Sequence, residues 1–567
     1  LKLCEWGVMV WVEFMIFLAA LAVPVCAVSA HLAHTDGVKP PTVRQLIDSH
    51  YPSQYVVHKL KEEEHLEIDG KLDEPAWAAV PWLDNFLDLA GPRYENKGRT
   101  TWQQASREYA HRFTGEENPT KVKLRWDDKF LYVGAVLHSK HVAASVTGHC
   151  ANLTSSVWQG TPVLPYFDDD FEVFIDASQD NYFYVEYEMN ARNATYETLW
   201  SLPQAGLGSV APECGGGHSA RRVCCNTTWN HGQGLCDKGV ETEAKTWTME
   251  MYDASKRPGT GLQSAVLNLT DQWTLEIRLP ILSSNEHGGV INPTPGSYYP
   301  GTNPQQLHPT RGQKFWWATF ANALHAPWWS ELTARDTKRP EMIKSLCQKV
   351  ISSDERRNGF SQFLLDANNA APTCYYEAAS QNLGGHQYMH NPDVFGYLQF
   401  SERDDRQCKN VQWLARFILA QIYQAQVQYL TNLHLGNGSY TSNLTNLLLP
   451  SVCTILNACN TTALAYALEH VEIEISAQED KRSGPCARYA IEDVQTSDWT
   501  GGPCFNATVS YTVQSKGDPS KSKRVSGAID EARYITFDEN VGQRWNEADS
   551  AWLCLDDVVI LNKIAYV

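Results

Sequence analysis

The stretch Lys121-Val122-Lys123-Leu124-Arg125-Trp126-Asp127-Asp128-Lys129-Phe130-Leu131-Tyr132-Val133 decides the class of fold. Val122, Leu124 and Trp126 alternate with Lys121, Lys123 and Arg125, and a period of two sends every second side chain of a strand to the same face. Asp127-Asp128 supplies a turn and Phe130-Leu131-Tyr132-Val133 starts the returning strand, so the stretch predicts a β-hairpin. The same period recurs further along the chain. Phe171, Val173 and Ile175 alternate with Glu172, Phe174 and Asp176. Phe183, Val185, Tyr187 and Met189 alternate with Tyr184, Glu186, Glu188 and Asn190, and Trp273, Leu275, Ile277 and Leu279 with Thr274, Glu276 and Arg278. Strands apolar on one face must bury that face against a second sheet. Residues 55–400 are therefore expected to form an antiparallel β-sandwich in a mainly β chain.

Two stretches break the pattern. Residues 203–240 place Cys214, Cys224, Cys225 and Cys236 among glycines and polar residues, which reads as a disulfide-stapled insertion. His218 and His231 lie among them, but the spacing fits no zinc finger. Residues 342–388 read as a second insertion, closed by Cys347 and Cys374. Upstream, residues 31–54 carry Pro40-Pro41 and no sustained apolar period, and read as a linker. After 405 the period changes to three and four: Leu414, Phe417, Ile418, Ile422, Ala425 and Tyr429 predict one long helix stopping near Gly436-Asn437-Gly438. Strand-like pieces follow at 470–476, 507–513 and 532–537, with six cysteines between 408 and 554. Residues 405–567 are expected to be a small, disulfide-stapled α+β domain.

Residues 1–30 read as a signal peptide, apolar from Val8 to Val28 and ending in the small residues Val28-Ser29-Ala30, or as an uncleaved signal anchor. Beyond Cys4 and Cys26 there are thirteen cysteines, an odd number, leaving one thiol free or bonded to another chain. Eight Asn-X-Ser/Thr sequons begin at Asn152, Asn193, Asn226, Asn268, Asn437, Asn443, Asn460 and Asn506. Together these features predict a secreted or cell-surface glycoprotein. A formal net charge of −18, with no basic cluster, argues against nucleic acid as a partner. No later segment matches the first in length and apolarity, so no further membrane insertion is expected.

Several motifs, in order, resemble those of family 9 carbohydrate-binding modules and their DOMON-like relatives, which are jelly-roll-type β-sandwiches. Ile68-Asp69-Gly70-Lys71-Leu72-Asp73-Glu74-Pro75-Ala76-Trp77 looks like their opening segment. Val122–Val133, Asp168–Asp176, Tyr184–Asn190 and Trp273–Pro280 look like the strands that follow, and Trp328-Trp329-Ser330-Glu331 and Pro392–Leu398 like the closing motifs. The resemblance spans about 340 residues. It implies carbohydrate binding and structural Ca²⁺. A pyranose ring offers an apolar C–H face to aromatic side chains, while carboxylates and amides bind its hydroxyls. On that chemistry the candidate sugar-binding residues are Tyr166, Phe167, Asp168, Asp169, Asn190, Trp328, Trp329, Glu331 and Tyr388. The family's second aromatic clamp position falls near Met389, beside Tyr388, a departure from its pattern. Asp168, Asp169, Asp170 and Glu172 offer the hard oxygen ligands Ca²⁺ takes, although alternation sends Asp169 and Asp170 to opposite faces. Two alternatives stand beside glycan binding, including a role in carbohydrate catabolism. One is a glycoside hydrolase or an accessory subunit of one, which needs a carboxylate pair that no spacing here identifies. The other is an adhesive surface protein whose sandwich has lost its sugar site.

Overall fold

In the computed structural model the hairpin forms as the alternation predicts. The Asp127 carboxylate accepts hydrogen bonds from the backbone N–H groups of Lys129 and Phe130, both at 2.7 Å, which fixes the turn. The structure describes nearly all of residues 42–84, 86–88, 120–138, 144–148, 168–200, 263–281, 315–325, 375–379, 392–402, 407–453, 459–478, 504–538 and 554–561, with a few shorter pieces.

Twelve strands make one sheet: β1 (Gln54–Lys59), β2 (Leu87–Asp88), β3 (Thr120–Trp126), β4 (Phe130–His138), β5 (Asp170–Asp176), β6 (Tyr184–Asn190), β7 (Thr195–Trp200), β8 (Gln263–Asn268), β9 (Gln272–Pro280), β10 (Phe315–His325), β11 (Tyr375–Ala379) and β12 (Gly396–Ser401). Their order is β8-β9-β4-β3-β1-β12-β10-β5-β6-β7, with β11 paired to β10 and β2 to β11. The sheet is mixed, not antiparallel throughout, because β1 runs parallel to both β12 and β3. It closes into a sandwich by curling. Ser264 Oγ of β8 donates to Asn193 Oδ1 at 2.7 Å, and Asn268 Nδ2 donates to the Ala191 carbonyl at 2.9 Å, so the first strand meets the turn between β6 and β7. Between the halves lies one core that includes Trp126, Val133, Phe171, Val185, Trp273, Ile277, Trp316 and Phe400, all buried.

The opening and Trp273–Pro280 motifs meet at one buried carboxylate. Glu276 accepts Trp77 Nε1–H on Oε1 at 2.7 Å, and the backbone N–H groups of Gly70 and Asp69 on Oε2 at 2.7 and 2.9 Å. Gly70 holds φ +86°, and a Cβ there would stand 2.9 Å from the backbone of Val266 and Leu267, so only glycine fits. This segment also covers the charged face of β3. Lys123 Nζ donates to the Trp77 carbonyl and Arg125 to the carbonyls of Ala76, His58 and Lys59, so both side chains are buried where alternation alone puts them in solvent.

A third layer covers the other face of β5, β6, β10 and β12. It contains α1 (Val43–His50), α2 (Trp413–Thr431), α3 (Thr461–His470) and a five-stranded sheet. The strands are β13 (Glu472–Gln478), β14 (Cys504–Ser515), β15 (Ser522–Asp530), β16 (Ile535–Phe537) and β17 (Val558–Leu561), in the order β13-β14-β15-β16 with β17 on β14. Residues 43–50, inside the stretch expected as a linker, are helical; Thr42 and Gln45 form a reciprocal capping box, and Leu46 and Ile47 are buried. Likewise residues 375–379, inside the stretch expected as an insertion, add a strand to the main sheet. Phe174, Tyr184, Trp317 and Tyr397 of the main sheet share a core with Leu414, Phe417 and Ile418 of α2 and with Phe505 and Val509 of β14. Cys408 and Cys554 are disulfide-bonded, and Cys459 and Cys504 are also in disulfides. Thr42–Val567 is one compact unit. Among the described residues no helix is long and apolar enough to cross a membrane.

Candidate functional site

The acidic strand predicted from Asp168–Asp176 forms β5 and its lead-in, and its carboxylates divide into two kinds. Asp168 is held by the protein itself. Its Oδ2 accepts from the backbone N–H groups of Ser145 at 2.7 Å and Val146 at 2.6 Å and from Asn190 Nδ2 at 2.9 Å, while Oδ1 accepts from Ser145 Oγ at 3.0 Å. Asn190 is committed in the same way. Its Nδ2 also donates to the Val146 carbonyl, and its Oδ1 accepts from the backbone N–H groups of Arg192 and Ala194, shaping the turn into β7. The Asp169 side chain is buried and its carbonyl accepts from the Ala191 N–H at 3.2 Å. Asp168 and Asn190 therefore stand in the framework of the sheet end.

The second kind lies along β5 itself. Alternation along β5 puts Asp170, Glu172 and Phe174 on one face, and the β5–β6 register sets Glu172 opposite Glu188, Phe174 opposite Glu186 and Asp170 opposite Asn190. Directly opposed residues of antiparallel strands share a face. Asp170, Glu172 and Glu188 bring their carboxylate oxygens within 4.8 Å of one another, all three buried. When ionised, such a group accepts hydrogen bonds or coordinates a hard cation, and donates nothing. Asp170 and Glu172 are among the residues expected as oxygen ligands, and the register adds Glu188 to them. Glu188 was legible as a polar-face residue of β6; only the register that sets it opposite Glu172 was not.

Strand register defines this end of the sheet. Ala323 of β10 lies opposite Asp170 of β5, which lies opposite Asn190 of β6. β12 runs antiparallel to β10, so Gly396 is its residue nearest that end. Tyr166, Phe167, Trp328, Trp329, Glu331 and Tyr388 lie outside the described residues.

No protein-family model matches the chain, and no curated protein does. Among solved structures, it is similar to a carbohydrate-binding module of family 9 from Caldicellulosiruptor kristjanssonii in complex with cellotriose. That match has 15% identity, covers 62% of this chain and 96% of that one, and has a TM-score of 0.26. A family 9 module from the same organism in complex with glucose matches with 15% identity over 63% of this chain and 99% of that one, again at a TM-score of 0.26.

Proposed function

We propose that this chain is an extracellular glycan- or polysaccharide-binding protein, its ligand held at the sheet end where Asp170, Asn190 and Ala323 lie side by side. The observation that supports this reading is the register, which sets Asp170 of β5 between Ala323 of β10 and Asn190 of β6, with Tyr166 four residues before Asp170 and Trp328 five residues after Ala323 in the sequence. Aromatic stacking on the sugar's C–H face and acceptors for its hydroxyls are the two things a saccharide site needs. The disulfides at Cys408, Cys459, Cys504 and Cys554 support an oxidising, exported location, as do the sequons.

Ca²⁺ is the ion that the sequence resemblance implies, and the donor set suits it: three carboxylates, close together, from two adjacent strands. Asp170, Glu172 and Glu188 would hold it, and bound there it would neutralise their mutual repulsion and tie β5 to β6. The test is a glycan array probed with the calcium-loaded full chain and with a Tyr166→Ala/Trp329→Ala variant. Binding lost in the variant supports the site; binding retained moves it elsewhere on the molecule. No binding by folded protein refutes the function and leaves the adhesive alternative, and release of reducing ends from a bound polysaccharide would favour the hydrolase.

A further inference from the structure

Four sequon asparagines in or beside the third layer are in very different situations. Asn460 caps α3: its Oδ1 accepts the Ala463 N–H at 3.0 Å, and its Nδ2 lies 3.0 Å from His50 Nε2, on a ring stacked against Phe417. Asn506 sits half-buried inside β14, opposite the buried Asp530. Asn437 and Asn443 are exposed on the segment that follows α2. The backbone around Asn437 is pinned: Gly436 N–H donates to the Tyr429 carbonyl, Asn437 N–H to that of Asn432 and Gly438 N–H to that of Leu430. Asn437 holds φ +45°, which asparagine tolerates, at the tip of this turn, and a side chain at Gly438 would meet nothing within 4 Å. No described residue hydrogen-bonds the Asn437 side chain. Asn443 Oδ1 accepts from the Thr445 N–H at 2.9 Å to cap the helical turn Leu444–Leu447, and no described residue hydrogen-bonds its Nδ2.

We infer that Asn437 and Asn443 carry N-linked oligosaccharides and that Asn460 does not; this rests on the extracellular part of the proposed function. The donor is an oligosaccharide linked to a lipid pyrophosphate. Its anomeric C1–O bond breaks with the electron pair leaving on the phosphate, a C1–Nδ2 bond forms, and Nδ2 gives up one proton. The amide oxygen and one N–H survive, so the Asn443 cap is compatible with the modification. At Asn460 the same bond would force an oligosaccharide between Nδ2 and His50, beneath α1.

To test this, the full chain is expressed behind a host secretion signal, so that entry into the lumen does not depend on residues 1–30. Protein recovered from the medium is mapped by peptide mass spectrometry after enzymatic deglycosylation in heavy-oxygen water, which marks each formerly occupied asparagine as labelled aspartate. Label at 437 and 443 with none at 460 is the expected result. Secreted protein unlabelled at 437, or labelled at 460, overturns the inference, whatever the glycan array shows. Ser439→Ala, which breaks the sequon but leaves Asn437 at its positive φ, should lose one gel-mobility step and keep the parent melting temperature. Asn460→Gln should lose no step and melt lower, since glutamine cannot reproduce the cap.

Discussion

Replacing Glu276 by Gln tests whether the carboxylate joining the Ile68–Trp77 segment to β9 holds this side of the sandwich closed. Gln has one acceptor where Glu276 has two. If its oxygen keeps the Gly70 and Asp69 N–H groups, its amide confronts Trp77 Nε1–H donor to donor; if flipped, it keeps Trp77 and loses the two backbone bonds. Each bond to a charged acceptor contributes about 1.5–3 kcal/mol, and the stranded donor on a Trp77 that is only 1% exposed costs a similar amount. Relief of the buried charge offsets part of this, so the expected net loss is about 2 kcal/mol. Burial pushes the Glu276 carboxyl above its ordinary value, against the hydrogen bonds that lower it. A folded-state pKa above the unfolded one adds stability below the unfolded value, and that contribution fades as pH rises through the folded value. Gln lacks the contribution, so the gap between variant and parent should widen as pH falls from 7 towards 4. The assay is urea unfolding followed by tryptophan fluorescence at both pH values, in a cycle with Trp77→Phe. A coupling energy below about 0.5 kcal/mol would mean that Trp77 and Glu276 act independently, and the reasoning would be wrong.

Three further perturbations probe the rest of the structure. Asp168→Ala strands the Ser145 and Val146 N–H groups and should cost about 3 kcal/mol in chemical denaturation; an unchanged midpoint would show that water replaces the carboxylate. Glu172→Gln should shrink the Ca²⁺-dependent rise in melting temperature, which for the parent corresponds to about 2.7 kcal/mol at a hundredfold excess over Kd, and an equal rise in both proteins would place the ion elsewhere. Arg533 forms a buried ion pair with Asp393 (Nη2–Oδ1 2.8 Å, Nε–Oδ2 3.0 Å), so Arg533→Met alone should cost about 3–5 kcal/mol by isolating a buried carboxylate, while Arg533→Met with Asp393→Leu should recover much of it. Equal losses in the single and double variants would contradict that account.

What was legible in the sequence followed how local the deciding interactions are. The hairpin of β3 and β4 needs only its own alternation and an aspartate turn. The long helix showed its period of three and four, although α2 is buried nearly all round because it lies between two sheets. Its glutamines at 421, 424 and 428 are half-buried rather than facing open solvent. By contrast α1 has eight residues and two buried side chains, too short for a period to appear. β15 is Ser522–Asp530, a polar run containing Gly527, and its place is set by the close approach of Phe537, whose ring atoms would stand 2.9 Å from a Cβ at that glycine. The parallel β1–β12 pairing joins residues more than 300 apart, and no local pattern encodes it. At the site, residue type was visible and register was not: Asp168 and Asn190 carry the right chemistry for sugar, and in the structure Asp168 binds Ser145, Val146 and Asn190 while Asn190 also shapes the turn into β7.

The third layer bears on the site through the face it shares. Along β5 that face changes character within four residues, from Asp170 and Glu172 at one end to Phe174 beneath the third layer. The apolar part has a partner of matching kind, and two arginines of that partner grip the chain leading into β12. Arg416 of α2 donates to the carbonyls of Pro392, Asp393 and Phe395 with its guanidinium 4.0 Å from the Trp317 ring, and Arg533 pairs with the Asp393 carboxylate. Both grips fall on the four residues that lead into β12. A buried guanidinium is stabilised only where its donors find acceptors, so these contacts fix the course of residues 392–395 tightly. The third layer therefore sets where the closing motif Pro392–Leu398 enters the sheet, beside β10, with β5 and its Asp176 on the far side of that strand.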